Sequence, residues 1–200
     1  MFTLLSKNKK FVDVTKDLNM QDLRKNNPQY LVLHSTYRPT FEDVQRNHKF
    51  RRFAGVGYHI FVSSDSKTYK TRPFDIEGAH ALGFNTKSIS LCFYTNNGSP
   101  SKEILNRTCE LIDGIKEQHS GIELISHTQA QLMYLNDLLS QSNFSKQFPI
   151  QNDVTNSYVF NEIKAESELF MNFLNESNQK IASQLKKIKN CPGEAYKYFI

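Results

Sequence analysis

The sequence predicts an α/β domain, a mixed central β-sheet flanked by helices. Three observations carry this. Apolar runs of strand length occur at 29–34, 57–63 and 88–94, helical apolar spacing occurs at 41–48 and 104–115, and turn residues punctuate the chain between them. With 200 residues and 38% apolar content, the chain is long enough for one domain with a full core.

In chain order, residues 1–27 read as a polar lead-in with one short helix around Thr15–Lys25. The first strand is Gln29–His34. Thr40 is an N-cap, with Asp43 at the third helical position completing a capping-box-like start, and Phe41, Val44 and His48 share a face of the helix that follows. Strands Gly57–Ser63 and Thr68–Arg72 flank a polar Ser-Asp-Ser turn and read as a hairpin. Ser88–Tyr94 is a nearly continuous apolar run, which places it centrally with both faces covered. Asn97-Gly98 makes a turn, and Pro100 suits the first turn of a helix running to about Gln118. Its stripe is Ile104, Leu105, Cys109, Leu111, Ile112 and Ile115. Segment 128–190 is helical in character. Leu132, Leu135 and Leu139 form a short stripe, and Ile163, Phe170, Leu174, Ile181, Leu185 and Ile188 a long amphipathic one.

Composition removes several function classes. No run reaches the ~18 apolar residues of a transmembrane helix. MFTLLSKNKKFVDV carries its charges after a short apolar stretch, the reverse of a signal peptide, so synthesis in a cytoplasm is expected. Three cysteines cannot complete a disulfide framework, and Cys92 and Cys109 read as inert core thiols. The net charge is +5, and residues 128–190 are balanced with six Lys/Arg and six Asp/Glu, so the excess lies elsewhere. A basic face could attract an anionic polymer or only keep the protein soluble. No basic helix, aromatic RNA-reading motif or zinc-finger spacing supports nucleic acid as a partner.

The chemistry-bearing residues are widely spaced. His34 and His127 each close an apolar run, and Cys191 opens a Cys-Pro-Gly triplet near the C-terminus. Two imidazoles and one thiolate form a zinc ligand set that leaves a fourth position open, as catalytic zinc requires. Alone, the triple is one of many that six histidines and three cysteines permit. Around it stand LVLHST, FAGVGYHIFV, TYKTRP, GAHALGFNTKSISLCF, a helix from about Pro100, and CPG. In that order and spacing they resemble the zinc-dependent N-acetylmuramoyl-L-alanine amidases of the type-2 family, which includes peptidoglycan recognition proteins and phage endolysins. The resemblance covers roughly residues 28–127 and 186–195.

That resemblance implies the amidase/peptidoglycan recognition fold and Zn2+ held by His34, His127 and Cys191. It also implies a catalytic Tyr58, one residue before a strand histidine, and a catalytic Lys189, two residues before the cysteine. His80, Asn85 and Arg72 fall where the family lines its substrate groove. His59 and His48 read as packing and rim residues. The implied activity is hydrolysis of the amide between N-acetylmuramic acid and L-alanine in bacterial peptidoglycan, lysing the cell wall after release or export. The alternative is a peptidoglycan-binding or regulatory protein that does not cleave. The chain departs from the family in two places. Ser-His replaces the usual Gly-His at His127, and 128–190 is a helical insertion within the single amidase domain 1–200, just before the last zinc ligand. The insertion must bury its apolar face on the domain, a second copy or a regulatory partner.

Overall fold

The computed structural model describes residues 11–17 and 23–140. The chain divides into two compact units, Met1–His127 with Pro192–Ile200, and Thr128–Cys191. Lys189, Cys191 and the Ile163–Ile188 stripe lie outside the described residues.

The first unit is built on a six-stranded mixed sheet. Its strands are β1 (Phe11–Asp13), β2 (Tyr30–Thr36), β3 (Ile60–Val62), β4 (Thr68–Lys70), β5 (Ser88–Tyr94) and β6 (Glu123–Ser126), in the order β1-β4-β3-β5-β2-β6. Only β3 and β4 pair antiparallel; the other neighbours are parallel. β2 and β5 run side by side inside the sheet, each flanked by a further strand, with Leu31 opposite Ile89 and His34 opposite Cys92. Both are buried along nearly their whole length, as expected of parallel strands covered on two faces.

Strand alternation sorts these residues into two cores. Leu31, Leu33, Ile60, Val62, Ile89, Leu91 and Phe93 meet Ile104, Leu111, Ile112 and Ile115 of α2 (Lys102–Gln118). On the opposite face Phe61 and Cys92 meet Phe41 and Val44 of α1 (Phe41–Phe50) together with Val56. Each large apolar side chain so buried stabilises the fold by roughly 1.5–3 kcal/mol. His34 has the parity of Val32 and Cys92, which puts it on the α1 face.

Local chemistry sets the boundaries. The Thr40 hydroxyl caps α1, accepting from Asp43 N at 3.2 Å and donating to the Asp43 carboxylate at 2.7 Å. Ser101 caps α2 in the same way, accepting from Ile104 N at 3.3 Å, so Pro100 stands before the cap and not in the first turn. Asn97 and Gly98 both take positive φ, 50° and 83°, the pairing that a tight hairpin-type turn requires.

Two expectations are corrected. At the ends of the expected Thr15–Lys25 helix, Thr15–Asp17 forms a single 3₁₀ turn and Lys25 pairs with Ile76 in an isolated bridge; residues 18–22 lie outside the described residues. Cys109 is exposed. It lies about 140° around α2 from Ile104 at ~100° per residue, off the buried stripe. Cys92 is fully buried, as its strand pattern requires. α3 (His127–Ser140) follows β6 directly, and no helix among the described residues is long and apolar enough to cross a membrane.

Candidate active site

Three imidazoles converge near the C-terminal end of β2. His34, 5% exposed, leaves the β2 backbone toward the α1 face. His127 stands at the junction of β6 and α3, its ring centroid 4.7 Å from that of His34. His80 comes from the loop before β5, with Nδ1 3.0 Å from His34 Nε2 and Nε2 3.1 Å from the Ser88 hydroxyl. The Tyr58 ring packs 5.1 Å from His34 and 5.1 Å from His48.

The loops that carry these groups are pinned to one another. Asn85 Oδ1 accepts from the backbone N–H of His80 (2.9 Å) and of Ala81 (3.0 Å), closing the loop that presents His80. Ala79 N donates to Gly57 O at 2.9 Å, tying that loop to the Tyr58 segment. Gly57 is required there, because a Cβ would stand 2.3 Å from Ala79 O. Beneath them Arg72 donates through Nε to Val56 O (2.6 Å) and through a terminal nitrogen to Glu77 O (2.7 Å). The Arg72 side chain is 1% exposed, so it fastens the two loops and offers almost no surface to a groove, against the expectation that it lines one. Burial lowers its pKa to about 10, which leaves it charged at neutral pH.

Burial also keeps the histidines neutral. His34 lies well below the ordinary imidazole range, first because it is buried and then because other imidazoles surround it. His80 is depressed for the same reasons. His48, His59 and His127 fall to about 4, in each case chiefly through burial. A backbone hydrogen bond from the His127 ring to His80 works in the opposite direction without prevailing. Among the described residues, His127 Nδ1 is buried and has no hydrogen-bond partner. A buried polar atom without a partner is uncommon enough to need a cause.

Among the expected site residues, His34, His127, His80 and Tyr58 come together. Asn85 acts on the backbone of the His80 loop. Lys189 and Cys191 lie outside the described residues, and among the described residues no group of three or more His, Cys, Asp or Glu side chains could hold a metal. Both His80 nitrogens are engaged, so it adds no third ligand beside His34 and His127. His59 packs, with its ring held by the Ser90 hydroxyl (2.9 Å) and Ile76 O (2.9 Å). His48 is buried and accepts from Gly57 N at 2.8 Å, which makes it a support of the Tyr58 segment and not a rim residue. Ser88 was not foreseen; the available signal was a small polar residue within a fully buried strand, which must find a partner.

Known proteins share the family and the fold of this chain. The N-acetylmuramoyl-L-alanine amidase family model matches residues 24–141, more than half of the chain. A peptidoglycan-recognition protein of Drosophila simulans is 27% identical over 93 residues, 44% of this chain and 51% of that protein. An endolysin of Klebsiella phage KP32 is 25% identical over 92 residues, 42% of this chain and 61% of that protein. The chain spans about half the length of the curated relatives it matches. Among solved structures, the N-acetylmuramoyl-L-alanine amidase LysC from Clostridium intestinale URNW superposes with a TM-score of 0.55 at 23% identity, covering 62% of this chain and 85% of that one. At that identity the likeness establishes the fold.

Proposed function

The chain belongs to the N-acetylmuramoyl-L-alanine amidase family, and on that premise we propose that it hydrolyses the amide between N-acetylmuramic acid and L-alanine in bacterial peptidoglycan. The observation that carries the proposal is the pair of neutral imidazoles, His34 and His127, one of which keeps a buried, unpartnered nitrogen. A nitrogen lone pair hidden from water, with no donor facing it among the described residues, suits a cation. These residues therefore fit zinc, with Cys191 as the third protein ligand.

When bound, zinc supplies Lewis acidity at the scissile carbonyl. The chain's own groups do the remaining work. Tyr58, packed against His34, places its hydroxyl to hydrogen-bond the reacting oxygens. Lys189 donates to the developing oxyanion and neutralises part of its charge. His80 and Asn85 hold the loop beside His34, and Arg72 keeps that loop fastened to the Tyr58 segment. Exclusion of water around the buried imidazoles strengthens each of these interactions.

A lytic role at the cell wall, after synthesis in a cytoplasm and release, follows from this reading and from the endolysins among the relatives. The 128–190 segment is then the part assigned to a second copy or a regulatory partner. The rival reading, a non-cleaving wall binder, draws on the peptidoglycan-recognition proteins among the relatives.

Digestion of purified peptidoglycan with and without a chelator, followed by mass spectrometry of the released termini, separates the two. The expected products are free lactyl carboxylates and free L-alanine amino termini, formed only when metal is present. Co-sedimentation with the wall and no new termini would establish the binder and refute the amidase.

A further inference from the structure

We propose that Ser88 is a positioning residue: through His80 it fixes the ring proton of His34 on Nε2 and leaves Nδ1 bare. The inference rests on the reading of His34 as a metal ligand and extends it to a residue that reading does not use.

The Phe84 carbonyl has no hydrogen to give. The Ser88 hydroxyl oxygen lies 2.6 Å from the carbonyl oxygen of Phe84. Two oxygens approach that closely only with a proton between them, and the carbonyl has none, so Ser88 donates. A hydroxyl carries one hydrogen. Its second contact, 3.1 Å to His80 Nε2, is therefore made with an oxygen lone pair, and the proton there belongs to the imidazole.

With Nε2 protonated, neutral His80 presents Nδ1 as an acceptor. That atom is 3.0 Å from His34 Nε2, which must supply the proton. His34 in its neutral form has then spent its only ring proton, and its Nδ1 lone pair is left for a cation. Which nitrogen of a ligating histidine is available is set by the bond its other nitrogen makes.

His127 reaches the same state by a second route. Its ring hydrogen-bonds to the backbone of His80, and Nδ1 is the nitrogen left without a partner among the described residues. His80 thus serves one ring with its side chain and the other with its main chain.

The relay has little freedom to reverse. Ser88 is fully buried, so no bulk water competes for its hydroxyl. It opens β5 opposite Tyr30, on the same β2–β5 ladder that places His34. Its backbone carbonyl accepts from Asn26 Nδ2 at 2.9 Å, and Lys87 N donates to Phe84 O at 3.1 Å, which fixes both ends of the hydroxyl contact.

The test reads ring nitrogens directly. In metal-free protein labelled with ¹⁵N-histidine, long-range ¹H–¹⁵N correlation should show His34 and His80 both protonated on Nε2. In Ser88→Ala the His80 proton is released to Nδ1, so the Nδ1-protonated form of His34 should appear. Zinc affinity, measured by chelator competition, should fall about 10–100-fold. Ser88→Thr, which keeps the hydroxyl, should restore both readouts.

A parent spectrum with His34 protonated on Nδ1 would overturn the proposal, and it needs no variant. A folded Ser88→Ala that keeps the parent tautomers and zinc affinity would overturn it too. A parent that binds no zinc yet shows the expected tautomers would remove the metal reading and leave the relay standing.

Discussion

Lowering the pH of the metal-free protein from about 7.5 to about 5 should remove much of its stability. The cause is the set of neutral histidines in the interior. His48 and His59, 4% and 0% exposed, titrate near 4 in the folded chain and near 6.5 when unfolded. Between those values the unfolded chain binds protons that the folded chain refuses, so stability is complete above the unfolded pKa and is lost as pH falls below it. At about pH 5 the free-energy difference is roughly 2 kcal/mol for each histidine, or about 4 kcal/mol for the two. Small domains hold about 5–15 kcal/mol in all. His34, His80 and His127 shift in the same direction and steepen the loss. Asp65, held down to about 2 first by the Ser63 hydroxyl, loses its contribution only at lower pH, outside this window. The chain has no tryptophan, so urea unfolding followed by far-ultraviolet circular dichroism, in chelator and at stepped pH, is the suitable assay. An unfolding free energy that stays constant from about pH 7.5 to about pH 5 would refute the claim that these rings are buried and neutral.

Three further predictions concern the site. Cys191→Ser should lose both bound zinc and turnover, whereas Cys92→Ser, altered in the core, should keep its zinc; full zinc in Cys191→Ser would end the ligand assignment. Lys189→Ala should raise the barrier by roughly 2.7–4 kcal/mol with zinc still bound, as loss of an oxyanion donor does, and Tyr58→Phe should likewise lower kcat; parent rates in both would make these residues structural. Gly57→Ala drives a Cβ to within 2.3 Å of Ala79 O, so the Tyr58 and His80 loops must part, and both melting temperature and zinc affinity should drop.

The sheet centre and the two covering helices were legible because long apolar runs and helical stripes record burial directly. Elements fixed by distant partners were not. At the end of the expected Thr15–Lys25 helix, Lys25 bridges Ile76 and Asn26 N bonds Asp75 O, tertiary pairings that no local pattern announces. Buried cations left no trace in the pattern either. Arg72 and Arg107 are 1% and 8% exposed, and only the folded chain reveals the carbonyls of Val56 and Glu77 and the Thr68 hydroxyl that receive them. His34 and His127 stood out at strand ends. Ser88 did not, because its partners His80 and Phe84 meet it through a loop conformation that spacing cannot express.

β5 joins these observations. Read as one apolar run, SISLCFY is two faces. Ile89, Leu91 and Phe93 pack against α2, while Ser88, Ser90 and Cys92 have the other parity. On that second face the residues are small, and two of them hold imidazoles: Ser88 at His80 and Ser90 at His59. A leucine at either position would occupy the volume of a ring and take away its hydrogen-bond partner. The strand therefore divides its labour, stabilising the fold through the odd positions and keeping buried histidines neutral and oriented through the even ones. On the proposed reading, the burial that keeps His34 and His127 unprotonated for a cation is the same burial expected to oppose folding in acid. The expected acid sensitivity and the proposed ligand geometry thus share one packing arrangement, and relieving the first by exposing the rings should forfeit the second.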